Sequence, residues 1–388
     1  MINIRRQNAD GAARDLPQPR PRKGALFGST GLACLLAAGI PAAISLTTAA
    51  AAQALPTGGA VTAGSATIAT ASHTLTVTQS SNRAALDWQS FSIGKDNSVV
   101  FVQPNSSAVA LNRVIGADPS VILGTLTANG NVFLINGNGI LFGKSANVNV
   151  SGLVASSLGL SDVDFMAGNY AFAGNGGTVR NEGSIRADGG YVALLGANVS
   201  NAGVIQANFG TVALAAGEAI TLDVAGDGLL SVAIDKGAVG ALVQNGGLIR
   251  ADGGRVLMTA RAAGDLLHTA VNNSGIIEAR TLENHNGTIS LLGDMSGGSV
   301  LVGGVLDASA AAGGDGGFIE TSAAHVSVAD GTRITTASPL GKGGTWLIDP
   351  ADFTIGAGGD ISGSTLSAEL VNNSVVISTL PVANNATA

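Results

Sequence analysis

The chain has 388 residues, 46% of them hydrophobic and only 12% charged, with 56 glycines and 4% aromatics. An average globular chain carries about 25% charged residues and about 7% Gly, so this balance favours stacked strands and turns over helices, and its high hydrophobicity excludes disorder as the reason for so much Gly. The formal charge of −7 becomes −11 (13 basic, 24 acidic) once the first 54 residues, with six basic and two acidic, are set aside; an acidic chain without basic stripes excludes a nucleic-acid partner.

Residues 1–23 are polar and basic and end in Arg20-Pro21-Arg22-Lys23, and residues 24–50 are largely apolar and uncharged. Ala52-Gln53-Ala54 is a small-x-small site, so residues 1–54 read as a signal peptide with an extended basic region, cleaved after Ala54 by signal peptidase after passage through the general secretory translocon. Cys34, the single cysteine, lies in this segment, so the mature chain is expected to hold no thiol and no disulfide.

From Ala60 the pattern turns to β. Thr67–Thr78 alternates as TIATASHTLTVT, the pattern of a half-buried strand pair, and is expected to cap the amino end. There follow Trp88-Gln89-Ser90-Phe91-Ser92-Ile93-Gly94, the turn Gln103-Pro104-Asn105-Ser106, the strand Ala110-Leu111-Asn112-Arg113-Val114 and the step Ile122-Leu123-Gly124. Residues 131–157 then read strand, turn, strand, turn, strand, with Asn136-Gly137-Asn138-Gly139-Ile140 at the first turn. In order, spacing and residue type these motifs resemble the haemagglutination-activity domain at the amino end of filamentous-haemagglutinin-like exoproteins, the two-partner secretion (TPS) domain. The family's Asn-Pro-Asn-Gly-Ile carries Gly137 here in place of Pro, so the stiffness that Pro gives the turn is missing.

Repeats begin after a less regular stretch near Asp162, Asp164 and Tyr170. Asn181-Glu182-Gly183-Ser184-Ile185-Arg186-Ala187 and Asn201-Ala202-Gly203-Val204-Ile205-Gln206-Ala207 are offset by 20 residues, and further copies start at Asn245 and Asn273, with a looser one at Gly304. A unit of two short strands cannot bury its own apolar side chains, but stacked units can, so the repeat predicts a solenoid. No leucine-rich consensus is present, and the reading is all-β: a right-handed parallel β-helix with an amino-terminal β cap. At about 20 residues per coil and about 4.8 Å per step it would have about 16 coils and a length of about 75 Å. The recurrent Asn should stack as a ladder, its amide bonding to the neighbouring turn. Four regions follow: 1–54, the signal peptide; 55–160, the secretion-domain core and cap; 161–350, the repeats; and 351–388, an irregular tail with no cap of its own, leading to or truncated from further repeats.

Sites for chemistry are sparse. His73, His268, His285 and His325 have no metal-ligand spacing, there is no Gly-x-Ser-x-Gly elbow, and Gly313-Gly314-Asp315-Gly316-Gly317 reads as a single turn. No catalytic residue, metal or cofactor is expected. A β-helical carbohydrate-active enzyme is the alternative, and only Asp162 with Asp164 and Asp223 with Asp227 could supply its carboxylate pair. The resemblance implies an exoprotein of a Gram-negative bacterium, bound by periplasmic modules of a dedicated outer-membrane barrel and released at the cell surface or beyond. It would act as an adhesin or its stalk with a host glycan or matrix ligand, or as the front of a contact-dependent toxin. Gln103, Pro104, Asn105, Asn112, Arg113, Asn136, Asn138, Gly139 and Ile140 are then the residues expected to serve transporter recognition or nucleation of the fold.

Overall fold

The structure is a computed structural model, and it describes residues 55–224, 230–263 and 270–379. The signal-peptide expectation, Cys34, Asp227 and His268 fall outside these residues.

Short strands separated by turns wind into a parallel β-helix with three faces. From the strand Val109–Val114 in the first sheet the chain passes to Ser120–Ile122 in the second and Thr125–Ala128 in the third. It returns to the first at Asn131–Ile135, directly above its starting point. The described residues form sheets of twelve, eight and eleven strands on these faces. Inward-facing Val, Ile, Leu and Ala stack coil on coil, and one continuous cluster runs from Leu75 to Ile361. The helical winding is thus fixed by burial: three-residue strands such as Ile140–Phe142 and Val204–Gln206 alternate, while the Gly-Asn turns between them make the corners.

Coil number departs from expectation. Arg83, Val109, Asn131, Gly152, Tyr191, Thr211, Arg255, Thr288, Phe318, Thr345 and Ser374 form one register row of eleven parallel strands in the first sheet. Ten steps of about 4.8 Å make a stack about 50 Å long, not sixteen coils. The 20-residue period holds from Tyr191 to Thr211 but grows to 44 from Thr211 to Arg255, because that coil carries an inserted hairpin, Ala219–Val224 with Leu230–Lys236. Another insertion holds a short helix, α1 (Asp162–Ala167), and the strand Tyr170–Ala173.

These insertions build a second layer. Tyr170–Ala173 pairs antiparallel with Ala219–Val224, and the resulting three-stranded sheet lies with α1 over the outer side of the first sheet. Phe133 sits under it, its ring 5.0 Å from that of Tyr170 and 6.0 Å from that of Phe165. Asn131–Ile135, Gly152–Ser156, Tyr191–Gly196 and Thr211–Ala216 are therefore buried at every residue, whereas Arg255–Ala260, beyond the layer, alternates. Ser161 caps α1 by accepting from Asp164 N–H, and Gly168, at φ 83°, ends it in the left-handed conformation.

Further elements flank both ends of the described stack. At the amino end Ala66–Ala71 and Thr74–Gln79 form an antiparallel hairpin, and Ala60–Ala63 runs antiparallel to Arg83–Trp88. The carboxyl end, expected to be irregular and uncapped, instead carries α2 (Gly363–Glu369) and a last parallel strand, Ser374–Ile377. The Glu369 carboxylate accepts from Ile334 N–H at 2.9 Å, and Asn373 Oδ1 accepts from Thr336 N–H at 2.8 Å while its Nδ2 donates to Ile334 O. Side chains thus stand in for the missing next strand along the open edge of the third sheet. Burial holds the Glu369 carboxyl above its usual range.

The recurrent asparagines do form a ladder. Asn181, Asn201, Asn245 and Asn273 lie one above the other, all at most 1% exposed, and each Nδ2 donates to the next Oδ1 at 2.8 Å, with Asn273 ending on Gly303 O. Each Oδ1 of the first three also accepts the N–H two residues on, at Gly183, Gly203 and Gly247. One side chain thereby fixes both its own turn and its neighbour's.

Candidate functional site

The nine motif residues occupy two corners of the amino-terminal coils and the strand between them. At the first corner Gln103 is buried, and its Nε2 lies 3.1 Å from Gln79 Oε1 and 3.2 Å from both Ala108 O and Asn131 O. Its backbone N–H donates to Asn129 Oδ1, whose Nδ2 returns a bond to Gln103 O. Pro104 and Asn105 are exposed; Asn105 Oδ1 accepts from Ser107 N–H and Oγ–H in an Asx turn, and its Nδ2 reaches Asn82 on the preceding coil.

Asn112 and Arg113 are neighbours in Val109–Val114 and point to opposite sides of the first sheet. Asn112, fully buried, accepts Trp88 Nε1–H at 3.0 Å and has its own Nδ2 3.2 Å from Ala110 O. It pairs the one polar edge of a buried tryptophan that would otherwise be stranded. Arg113, on the outer side, holds Asp87 at 3.0 Å, Leu160 O at 2.9 Å and the Asp162 carboxylate. It thus ties the start of α1 to the sheet, and a carboxylate in the first turn of α1 is itself favourably placed.

The second corner follows Asn131–Ile135. Asn136 is fully buried, and its Nδ2 donates to Asp118 O and Ser120 Oγ, both at 3.0 Å, on the preceding coil. Its Oδ1 accepts from Asn138 N–H at 2.9 Å and from Asn138 Nδ2 at 3.1 Å. Asn138 is exposed and reaches Gly116 O, Gly139 takes φ 111°, and Ile140 is in the core. Asn tolerates positive φ better than most residues, but neither Asn136 nor Asn138 adopts it: the asparagines act through their side chains, and Gly139 alone supplies the unusual backbone of this turn.

Gly139 N–H donates to Asn136 O at 3.0 Å, and neither central residue has positive φ, which makes this a type I turn with Gly137 at its second position. Proline favours that position. A Cβ there meets nothing within 4 Å, and among the described residues the Gly137 N–H donates no backbone hydrogen bond. Gly137→Pro is therefore expected to raise the unfolding free energy by about 0.4–1 kcal/mol, read as a higher urea midpoint; a lower midpoint would mean that Asn136 cannot take the extended backbone that precedes proline.

The structure brings Asn112, Arg113 and the 136–140 turn into adjacent coils, with Arg113 paired to Ile135, and leaves Gln103, Pro104 and Asn105 at the far end of the same strands. Of the acidic pairs, Asp162 is spent on Arg113 and Asp164 on Ser161 at the cap of α1, and Asp223 lies in the inserted hairpin. His285 rests its ring edge-on against Phe209, 5.7 Å between centroids. Residues that sequence reasoning passed over include Gln79, Asn129 and Asn131, which complete the Gln103 corner; their only signal in the sequence is an amide side chain beside a strand end.

Residues 52–308 match the TPS secretion domain family. The chain is 37% identical over 258 residues to a heme/hemopexin-binding protein of Haemophilus influenzae; the match takes in 63% of this chain and 28% of that protein. A second Haemophilus influenzae protein of the same name is 37% identical over 245 residues, covering 57% of this chain and 26% of that protein. The chain thus spans well under a third of the length of these relatives. The crystal structure of the HMW1 secretion domain from Haemophilus influenzae superposes with a TM-score of 0.61 at 26% identity, over 77% of this chain and 88% of that one. With its ordered motifs, its capped β-helix and a family match across two thirds of its length, the chain belongs to the two-partner secretion exoproteins and carries their TPS secretion domain.

Proposed function

We propose that the secretion domain directs this chain through a dedicated outer-membrane barrel, whose periplasmic modules read the motif residues on the extended chain before its coils close. The observation that carries this reading is burial: Asn112 and Asn136 are 0% exposed and Gln103 5%. A transporter can contact those side chains only in an unfolded chain, whereas Pro104, Asn105 and Asn138 stay readable after folding. The topology supports it further. Within the helix each strand pairs with the coils before and after it, so a chain emerging at the outer surface can close one coil at a time, each burying apolar area that opposes return. Residues 1–54 deliver the chain to the periplasm, and the exposed β-helix serves as an adhesin or its stalk. Deleting residues 57–160 in cells that carry the cognate transporter is expected to abolish the extracellular product while leaving precursor processing intact. Undiminished secretion of the deleted chain would overturn the proposal.

A further inference from the structure

A cleft of about 430 Å³ opens beside the first sheet, next to the second layer, a volume within the range of about 300–1,000 Å³ usual for small-molecule sites. Arg83, Val109, Asn131 and Tyr191 line it from one register row, which Gly152 completes, while Tyr170, Gly168 and Asp223 come from the inserted segments. None of these is a motif residue.

Gly152, between Asn131 and Tyr191 in the row, lets both of these lining side chains pack closely: a Cβ there would lie 2.2 Å from Asn131 Oδ1 and 3.0 Å from Tyr191 Cζ. Two features mark the cleft as built to hold something. Tyr170 and Tyr191 are largely buried, yet their hydroxyls stay open to the cleft, and neither donates a hydrogen bond to any described residue. Burial, with Tyr170 nearby, raises the Tyr191 hydroxyl well above its ordinary pKa and keeps it a donor. Arg83 has no carboxylate within ion-pair distance among the described residues; its one hydrogen bond is a long one, 3.5 Å to Met166 O, and its buried Nε has no partner. Arg113, on the adjacent strand of the same sheet, holds two carboxylates.

The cleft therefore presents a guanidinium with no carboxylate partner among the described residues, two phenolic donors and neutral amide and hydroxyl groups from Asn82, Asn131 and Ser107, together with one lining carboxylate, Asp223. We infer that it binds a monosaccharide unit bearing a carboxylate, of the uronic acid class. Arg83 pairs with the carboxylate through its planar fork, the tyrosines donate to ring oxygens, and Asp223 accepts from a ring hydroxyl. A bare acidic peptide would set a second carboxylate against Asp223 with no hydroxyl to satisfy it, and this favours the sugar. The inference does not rest on the secretion reading.

Calorimetric titration of the full chain at neutral pH and low salt with glucuronate, glucose and acetate tests it. Saturable glucuronate binding is expected, with glucose and acetate each weaker by about tenfold or more, the worth of one good polar contact. Arg83→Gln and Tyr191→Phe, checked for parental melting temperatures, should each weaken glucuronate binding by about tenfold. Absence of saturable binding, acetate or glucose binding as tightly as glucuronate, or unchanged affinity in both variants would overturn the inference. Should the variants melt early, the ranking of the three probes on the parent chain decides.

Discussion

Replacing Asn245 by Ala is expected to lower the unfolding free energy by roughly 3–5 kcal/mol, whereas replacing Gln244, its exposed neighbour, should change it by less than about 0.5 kcal/mol. Asn245 accepts from Asn201 and from Gly247 N–H and donates to Asn273, so alanine leaves groups on both adjacent coils without their partner. Each stranded buried group costs about 1–3 kcal/mol, and the space left in a packed interior adds to it. The register row that holds the ladder begins at Ile122 and Phe142 and ends at Val302 and Val328, so apolar residues also fill this position. What is costly is a mixed row, because removing one partner is worse than removing all of them. Urea unfolding of the two single variants checks this. A loss below about 1 kcal/mol for Asn245→Ala, less than one stranded buried group is worth, would show that the ladder does not hold the coils in register.

The ladder was legible because an amide that recurs at the head of an apolar unit has few uses except stacking on its own copies. The stacked winding was legible for a similar reason: strands too short to bury themselves must stack, although the repeat reads as two short strands per unit and the structure has three faces. Coil number was not. The period can be read where copies abut, as at Asn181 and Asn201, but the hairpin 219–236 and the α1 segment add chain without adding a coil. The sign of the second layer was present in Val132-Phe133-Leu134-Ile135 and Tyr191-Val192-Ala193-Leu194-Leu195, which are continuous apolar runs rather than alternating ones. A strand buried on both sides reads that way: Val132 and Leu134 face the helix interior. Phe133 and Ile135 face the added layer. The carboxyl cap was hidden by its means. A helix of seven residues and two side chains, Glu369 and Asn373, replace a strand by hydrogen bonding, and no hydrophobic pattern announces that.

At the motif, the sequence located the residues but not their work, since positive φ and side-chain capping draw on the same amino acids, Asn and Gly. Asn136→Ala separates the remaining readings. The substitution removes bonds to Asp118 O, Ser120 Oγ and Asn138, all made by a fully buried side chain, and is expected to cost roughly 2–4 kcal/mol of folding free energy. A secretion defect in this variant alone would be ambiguous, because a chain that closes its coils less firmly could slip back during export. Asn245→Ala supplies the comparison, with a similar or larger loss at a site three coils away from the Asn136 turn and outside every motif. If periplasmic modules read Asn136 on the extended chain, Asn136→Ala should reduce the secreted amount about tenfold or more, the loss of one specific contact, while Asn245→Ala, despite its greater instability, reduces it far less. If secretion instead follows the urea midpoints of the two variants, Asn136 serves the fold alone. Pro104→Ala adds a third point: its ring is exposed, so it should leave the midpoint almost unchanged and lower secretion only if the turn it stiffens is itself recognised.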